Sequence, residues 1–231
     1  MSDFLHHLAF GIYPYIALAV FLLGSLVRFE REQYSWRSGS SQLLRARQLR
    51  IGSNLFHIGI LFLLVGHTVG LLTPKAIYGL VITPAQKQML AIVSGGAAGI
   101  ICFVGLTMLL HRRLYDPRIR KTSSVMDIAI LGLLWLQLVL GLATIPFSLA
   151  HRDGSVMTQL SLWAQHILTF QADAASYLVG VGWVFKAHIL LGLTLFVVFP
   201  FSRLVHIWSA PVGYLVRPYQ IVRRRGGART A

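Results

Sequence analysis

Apolar residues along this chain gather into five runs, roughly Phe4 to Arg28, Ile51 to Leu72, Met89 to Leu110, Val125 to Ala150 and Val181 to Val205. Each is long enough to cross ~30 Å of hydrocarbon, which takes about 20 residues of helix. The pattern predicts an all-α membrane protein, a bundle of five transmembrane helices within a single domain spanning residues 1–231. The first run is read as a spanning helix and not as a removable leader. It is long, has no basic n-region, and shows no small-residue cleavage pattern before Arg28.

The longest connection, about Arg152 to Gly180, has its own rhythm. Val156, Leu160, Trp163, Ile167 and Phe170 recur at spacings of three and four with Gln159, Gln165 and His166 among them, which predicts a short interfacial helix over one mouth of the bundle. Pro14, Pro146 and Pro200 fall in or near spans, where neighbouring helices re-satisfy freed carbonyls, and they are assigned no chemistry.

Composition agrees with lipid as the solvent: 55% of the 231 residues are hydrophobic and 12% charged, whereas a soluble domain carries about 25% charged residues. The formal charge of +14 would suggest nucleic acid if location were ignored. Location gives it another meaning. The first connection holds Arg28, Arg31, Arg37, Arg45, Arg47 and Arg50, and the next on the same side holds Arg112, Arg113, Arg118, Arg120 and Lys121. The C-terminal stretch, a tail of about 206–231, adds Arg217, Arg223, Arg224, Arg225 and Arg229 to Arg203 just before it. Only Lys75, Lys87, Arg152 and Lys186 lie on the other side, so the positive-inside rule predicts the N-terminus outside and the C-terminus in the cytoplasm. The single cysteine, Cys102, sits mid-run, so iron-sulfur chemistry would have to come from a partner.

Nine histidines are present, and His6, His7, His111, His151 and His166 fall at ends or in loops. His57 and His67 lie in the second span, His188 and His206 near the two ends of the fifth. Ionisable groups at membrane depth are costly and mark function. The two spans run antiparallel, which groups His57 with His206 in the cytoplasmic half and His67 with His188 in the outer half. An ideal helix separates His57 from His67 by about 15 Å with an angular offset near 80°, and His188 from His206 by about 27 Å over about five full turns. Two bis-histidine haems b, their irons roughly 20 Å apart along the membrane normal, fit these two levels. Imidazole is a good haem ligand, and two axial ligands leave no position for substrate, so such haems carry electrons. A zinc or copper site would gather its ligands at one point instead. Gly59, Gly66, Gly70 and Gly192 near the ligands serve either porphyrin space or ordinary helix packing.

The segments Ile12-Tyr-Pro-Tyr-Ile-Ala17, Ser53-Asn-Leu-Phe-His-Ile-Gly-Ile60, Val65-Gly-His67, Thr144-Ile-Pro-Phe-Ser148 and Phe199-Pro-Phe-Ser-Arg-Leu-Val-His-Ile-Trp208 carry a family likeness over nearly the whole chain. It resembles the gamma subunit of membrane-bound respiratory nitrate reductase, a dihaem cytochrome b of the bacterial inner membrane. The resemblance implies a beta partner with iron-sulfur clusters and an alpha partner whose molybdenum cofactor reduces nitrate, both cytoplasmic. It also implies oxidation of quinol, ubiquinol or menaquinol, at the outer face, with electrons passing inward from the haem of His67 and His188 to that of His57 and His206. Lys87, in Ala85-Gln-Lys87-Gln, matches the family's lysine at the quinol site; an ammonium there hydrogen-bonds a quinone oxygen, whereas the plain reading is a snorkelling lysine at a helix end. His67 is a second expected quinol contact. Arg112 and Arg203, at cytoplasmic helix ends, are candidates for haem propionates, although the positive-inside bias explains them as simply. Three other readings are a related cytochrome b serving a different oxidoreductase, a haem-free transporter with histidines relaying protons, and a passive membrane anchor. The transporter would be favoured by inverted repeats and broken midplane helices, which the sequence lacks.

Overall fold

The computed structural model describes residues 3–36, 44, 46–209, 213 and 216–218. Arg37, Arg45, Arg223, Arg224, Arg225 and Arg229, and with them most of the expected tail, lie outside the described residues. Among the described residues five helical stretches are long and apolar enough to cross a membrane: α1 (Asp3–Arg31), α2 (Ala46–Leu72), α3 (Pro84–Tyr115), α4 (Val125–Ala150) and the stretch Trp183–Phe201. Between the last two lies the shorter α5 (Ser155–Leu168), and the regular α-helix of the last stretch is α6 (Trp183–Val198). The arginine-rich connections share one end of the bundle, called here the basic end; the connection after α2 and α5 form the far end.

Packing runs in series, α2 on α3, α3 on α4, α4 on α6 and α6 on α1. The α2–α3 seam is closed by small residues: a Cβ on Gly59 would stand 2.6 Å from Cys102 Cβ and 2.8 Å from the Ala98 carbonyl, and one on Gly52 3.3 Å from the Gly105 carbonyl. Close backbone approach of this kind is how helices associate where no hydrophobic force separates lipid from protein.

Helix α3 starts earlier than the apolar run from Met89. Thr83 Oγ accepts from the Gln86 amide (3.2 Å) while Gln86 Oε1 accepts from the Thr83 amide (2.8 Å), a capping box that satisfies two end donors. Lys87 therefore sits in the first turn of the helix. Ser124 and Asp127 cap α4 in the same way (3.1 and 3.2 Å).

The predicted interfacial helix is α5. Trp163 and Ile167 are buried and Val156 and Leu160 pack beside them, against Phe10 and Leu178. Trp163 Nε1 donates to the Phe10 carbonyl (2.9 Å), within the one π turn of α1, Leu8–Ile12. Gln165 Nε2 donates to the Leu71 carbonyl (2.8 Å), tying α5 to the last turn of α2. Phe170 departs from the expected face: it is exposed, in a turn with φ 59°.

The fifth run requires a correction. It was expected to be helical from Val181 to Val205, but the α-helix ends at Val198. A 3₁₀ turn follows at Phe199–Phe201, Ser202 is extended (φ −116°, ψ 178°), and a second 3₁₀ turn covers Arg203–Ser209. Pro200 has no N–H to continue the ladder, although Phe199 before it is still helical (φ −50°, ψ −55°), and the backbone leaves the helical region at Ser202. His206 lies in that second turn, so the continuous helix behind the five-turn alignment with His188 does not reach it.

Candidate functional site

On α2 the two histidines are held by their own helix. His57 Nδ1 donates to the Ser53 carbonyl and His67 Nδ1 to the Leu63 carbonyl, each at 2.7 Å and each one turn back. His206 Nδ1 donates to the Arg203 carbonyl (2.6 Å), and His188 Nδ1 crosses to the Gln137 carbonyl on α4 (3.2 Å). A carbonyl only accepts, so in all four rings the proton sits on Nδ1 and Nε2 keeps a lone pair, the tautomer a metal ligand needs. His151 makes the same bond to Phe147 (3.1 Å), so this bond alone does not mark a ligand.

Pairing is the more selective observation. The rings of His67 and His188 come together with centroids 6.2 Å apart and planes tilted by 42°, although they come from helices that share no extensive packing. A metal between two imidazoles takes about 2 Å on each side and the ring radii take up the remainder. His67 and His188 would therefore fit as the residues holding a haem iron, and among the described residues nothing approaches within 4 Å of a Cβ built on Gly66 or Gly70 beside His67. Gly59, by contrast, belongs to the α2–α3 seam. His57 and His206 make no ring contact with each other; they share the basic end, one on α2 and one on the 3₁₀ turn. Among the described residues no group of three or more His, Cys, Asp or Glu is placed to hold a metal ion.

The seat of His188 includes residues that the histidine pattern did not point to. Gln137 accepts from the His188 Nδ1–H at its backbone carbonyl and donates from its side-chain Nε2 to the His188 carbonyl (3.1 Å). A Cβ on Gly141 would come within 3.0 Å of the His188 ring, and one on Gly192 within 3.1 Å of the Gln137 amide, so both glycines keep that seat open. The available signal was a lone amide in the otherwise apolar Leu-Leu-Trp-Leu-Gln137 of α4.

Lys87 does not snorkel. It is 7% exposed, its Nζ has no hydrogen-bond partner among the described residues, and the ammonium rests 3.8 Å above the centre of the Tyr78 ring. Tyr78 ends the one-turn helix Lys75–Tyr78 in the α2–α3 connection. Next to Lys87, Gln88 ties α3 to the end of α4 by donating to the Ser148 (2.9 Å) and His151 (2.6 Å) carbonyls.

At the basic end Arg203 and Arg113 flank Asp127, at 3.7 and 3.5 Å. Arg112 is buried and donates to the Leu44 carbonyl (2.5 Å).

The family model described as nitrate reductase gamma subunit matches residues 6–225. The chain is 52% identical to the respiratory nitrate reductase 1 gamma chain of Escherichia coli strain K12, covering 96% of this chain and 99% of that one. It is 49% identical to the respiratory nitrate reductase 2 gamma chain of the same strain, covering 97% and 100%. Identity to the nitrate reductase gamma chain of Bacillus subtilis strain 168 is 40%, over 93% and 96%. With five spanning helices and a match across nearly its full length, the chain belongs to the nitrate reductase gamma subunit family, the membrane-anchoring part of an oxidoreductase complex.

Proposed function

We propose that this subunit oxidises quinol at the far end of the bundle, on the outer face of the bacterial inner membrane, and delivers the electrons to an iron-sulfur beta subunit at the basic, cytoplasmic end. Nitrate is reduced on the molybdenum-containing alpha subunit. Two haems b, held by His67 with His188 and by His57 with His206, supply one-electron transfer across the membrane when bound. The approach of the His67 and His188 rings to 6.2 Å carries this reading.

Each residue then has a task. The carbonyls of Leu63, Gln137, Ser53 and Arg203 hold the four rings in the ligand tautomer and raise their basicity. Lys87, buried without an acceptor, donates to a quinol oxygen, which supplies the hydrogen bond its ammonium lacks. His67, at the same end, is the second quinol contact. Arg112 and Arg203 meet haem propionates at the basic end. Quinol protons leave outside while electrons move inward, so oxidation separates charge without a proton channel.

The test is the pyridine-haemochrome content of the purified chain beside His57→Ala, His67→Ala, His188→Ala and His206→Ala. Two haems per chain are expected, with one low-spin signal absent from both His67→Ala and His188→Ala and the other from both His57→Ala and His206→Ala. A well-folded wild type without haem would overturn the reading and bring the proton-coupled transporter forward.

A further inference from the structure

The corner at Phe199–Ser202 turns the chain out of α6 and leaves carbonyls that no helix ladder satisfies. Arg28, in the last turn of α1, takes them: its Nη1 donates to the Pro200 carbonyl (2.6 Å) and the Ser202 carbonyl (2.8 Å). The rest of the guanidinium grips the turn after α1, Nη2 donating to the Ser35 carbonyl (2.9 Å) and Nε to Ser35 Oγ (3.2 Å). The residues one and two turns earlier on the same face of α1 complete the socket. A Cβ on Gly24 would lie 2.9 Å from Pro200 Cγ, and Phe21 packs edge-on against Phe199 (4.7 Å) and along Trp208 (5.3 Å). Trp36 Nε1 reaches Ser209 Oγ (2.6 Å), at the end of the 3₁₀ turn that carries His206.

From this geometry we propose that Arg28 is the positioning residue for His206. It fixes the corner carbonyls of Pro200 and Ser202, three residues and one residue before Arg203, whose own carbonyl in turn holds the His206 ring. A helix would set a ligand ring by its own ladder; here the ladder has ended, and a fork of five donors on a neighbouring helix replaces it. Arg28 touches neither the ring nor the quinol end, so its effect is confined to the haem shared with His57. The proposal rests on the haem reading given above.

The experiment uses the full chain in membranes, with low-spin electron paramagnetic resonance signals assigned by their absence from His206→Ala and His188→Ala. Arg28→Lys keeps the charge at the basic end and removes the fork, since one ammonium does not span both corner carbonyls and Ser35. The signal missing from His206→Ala is expected to shift or fall at least twofold in Arg28→Lys, with the signal missing from His188→Ala unchanged. Arg28→Gln is expected to lose the first signal while keeping the second. Both signals at wild-type position and intensity in Arg28→Lys, or both changed together as in a general loss of packing, would overturn the proposal. A wild type with no haem would sink the haem reading itself, an outcome the wild-type sample reports separately.

Discussion

Lys87 is the residue where burial and chemistry disagree most visibly. An ammonium that is 7% exposed, with only an aromatic face beneath it, lacks the acceptors that water would provide. On the proposed quinol reading, Lys87→Ala is therefore expected to slow haem reduction by quinol at least tenfold with both haems retained, measured by stopped-flow on membranes. Wild-type kinetics would remove Lys87 from the quinol site. Tyr78→Phe keeps the ring face and is expected to behave as wild type, whereas Tyr78→Leu removes a contact of roughly 0.5–2 kcal/mol and is expected to weaken quinol competition with a bound inhibitor. On the same side of the bundle, hydrogen bonds from Ser155 Oγ and the Ser155 amide hold the Asp153 carboxyl below the usual carboxylate range. Its contribution to the start of α5 is complete above the ordinary carboxylate value and disappears as pH falls through the depressed one. Asp153→Ala should thus leave the pH dependence of stability unchanged between pH 5 and 8.

Elements were unevenly readable. Four of the five runs mark their helices well because lipid demands long apolar stretches whatever the local detail. The fifth misleads for the same reason: Phe201, Leu204, Val205 and Ile207 stay apolar through two 3₁₀ turns, and hydropathy does not register the change of backbone. Pro200 followed by Ser202 was the readable warning. Helix α3 was cut short because Gln86, Lys87 and Gln88 dilute its first turn, although Thr83-x-x-Gln86 is a capping-box signature. The antiparallel order of the two spans is enough to bring His67 and His188 to one level, where their rings meet, whereas the seat of His188 depends on a cross-helix bond that no spacing encodes. The α2–α3 seam gives a prediction at this scale. Gly59→Leu forces a branched side chain where even a Cβ is too close to Cys102, and such overpacking costs about 1–3 kcal/mol or more. On the proposed haem reading both haem signals should melt at lower temperature in that variant, and Gly132→Leu on α4, beside open space among the described residues, serves as the comparison.

For the whole molecule, the separation of arginine-rich and arginine-poor ends predicts orientation. An alkaline phosphatase fusion in the segment 152–154 should be active and one in 116–122 inactive; the reverse pattern would invert the topology. Sealed vesicles of that orientation, given quinol and an electron acceptor for the complex, should release protons on the N-terminal side. The basic end is also where chain positions far apart meet, since Trp36 and Ser209 are bonded across a sequence separation of 173. A surface made from the first connection and the end of the last span comes into being only after every intervening helix has been inserted. On the proposed orientation, a partner subunit that docks on this surface would find it complete only once the last span is in place, so assembly would wait for the whole chain.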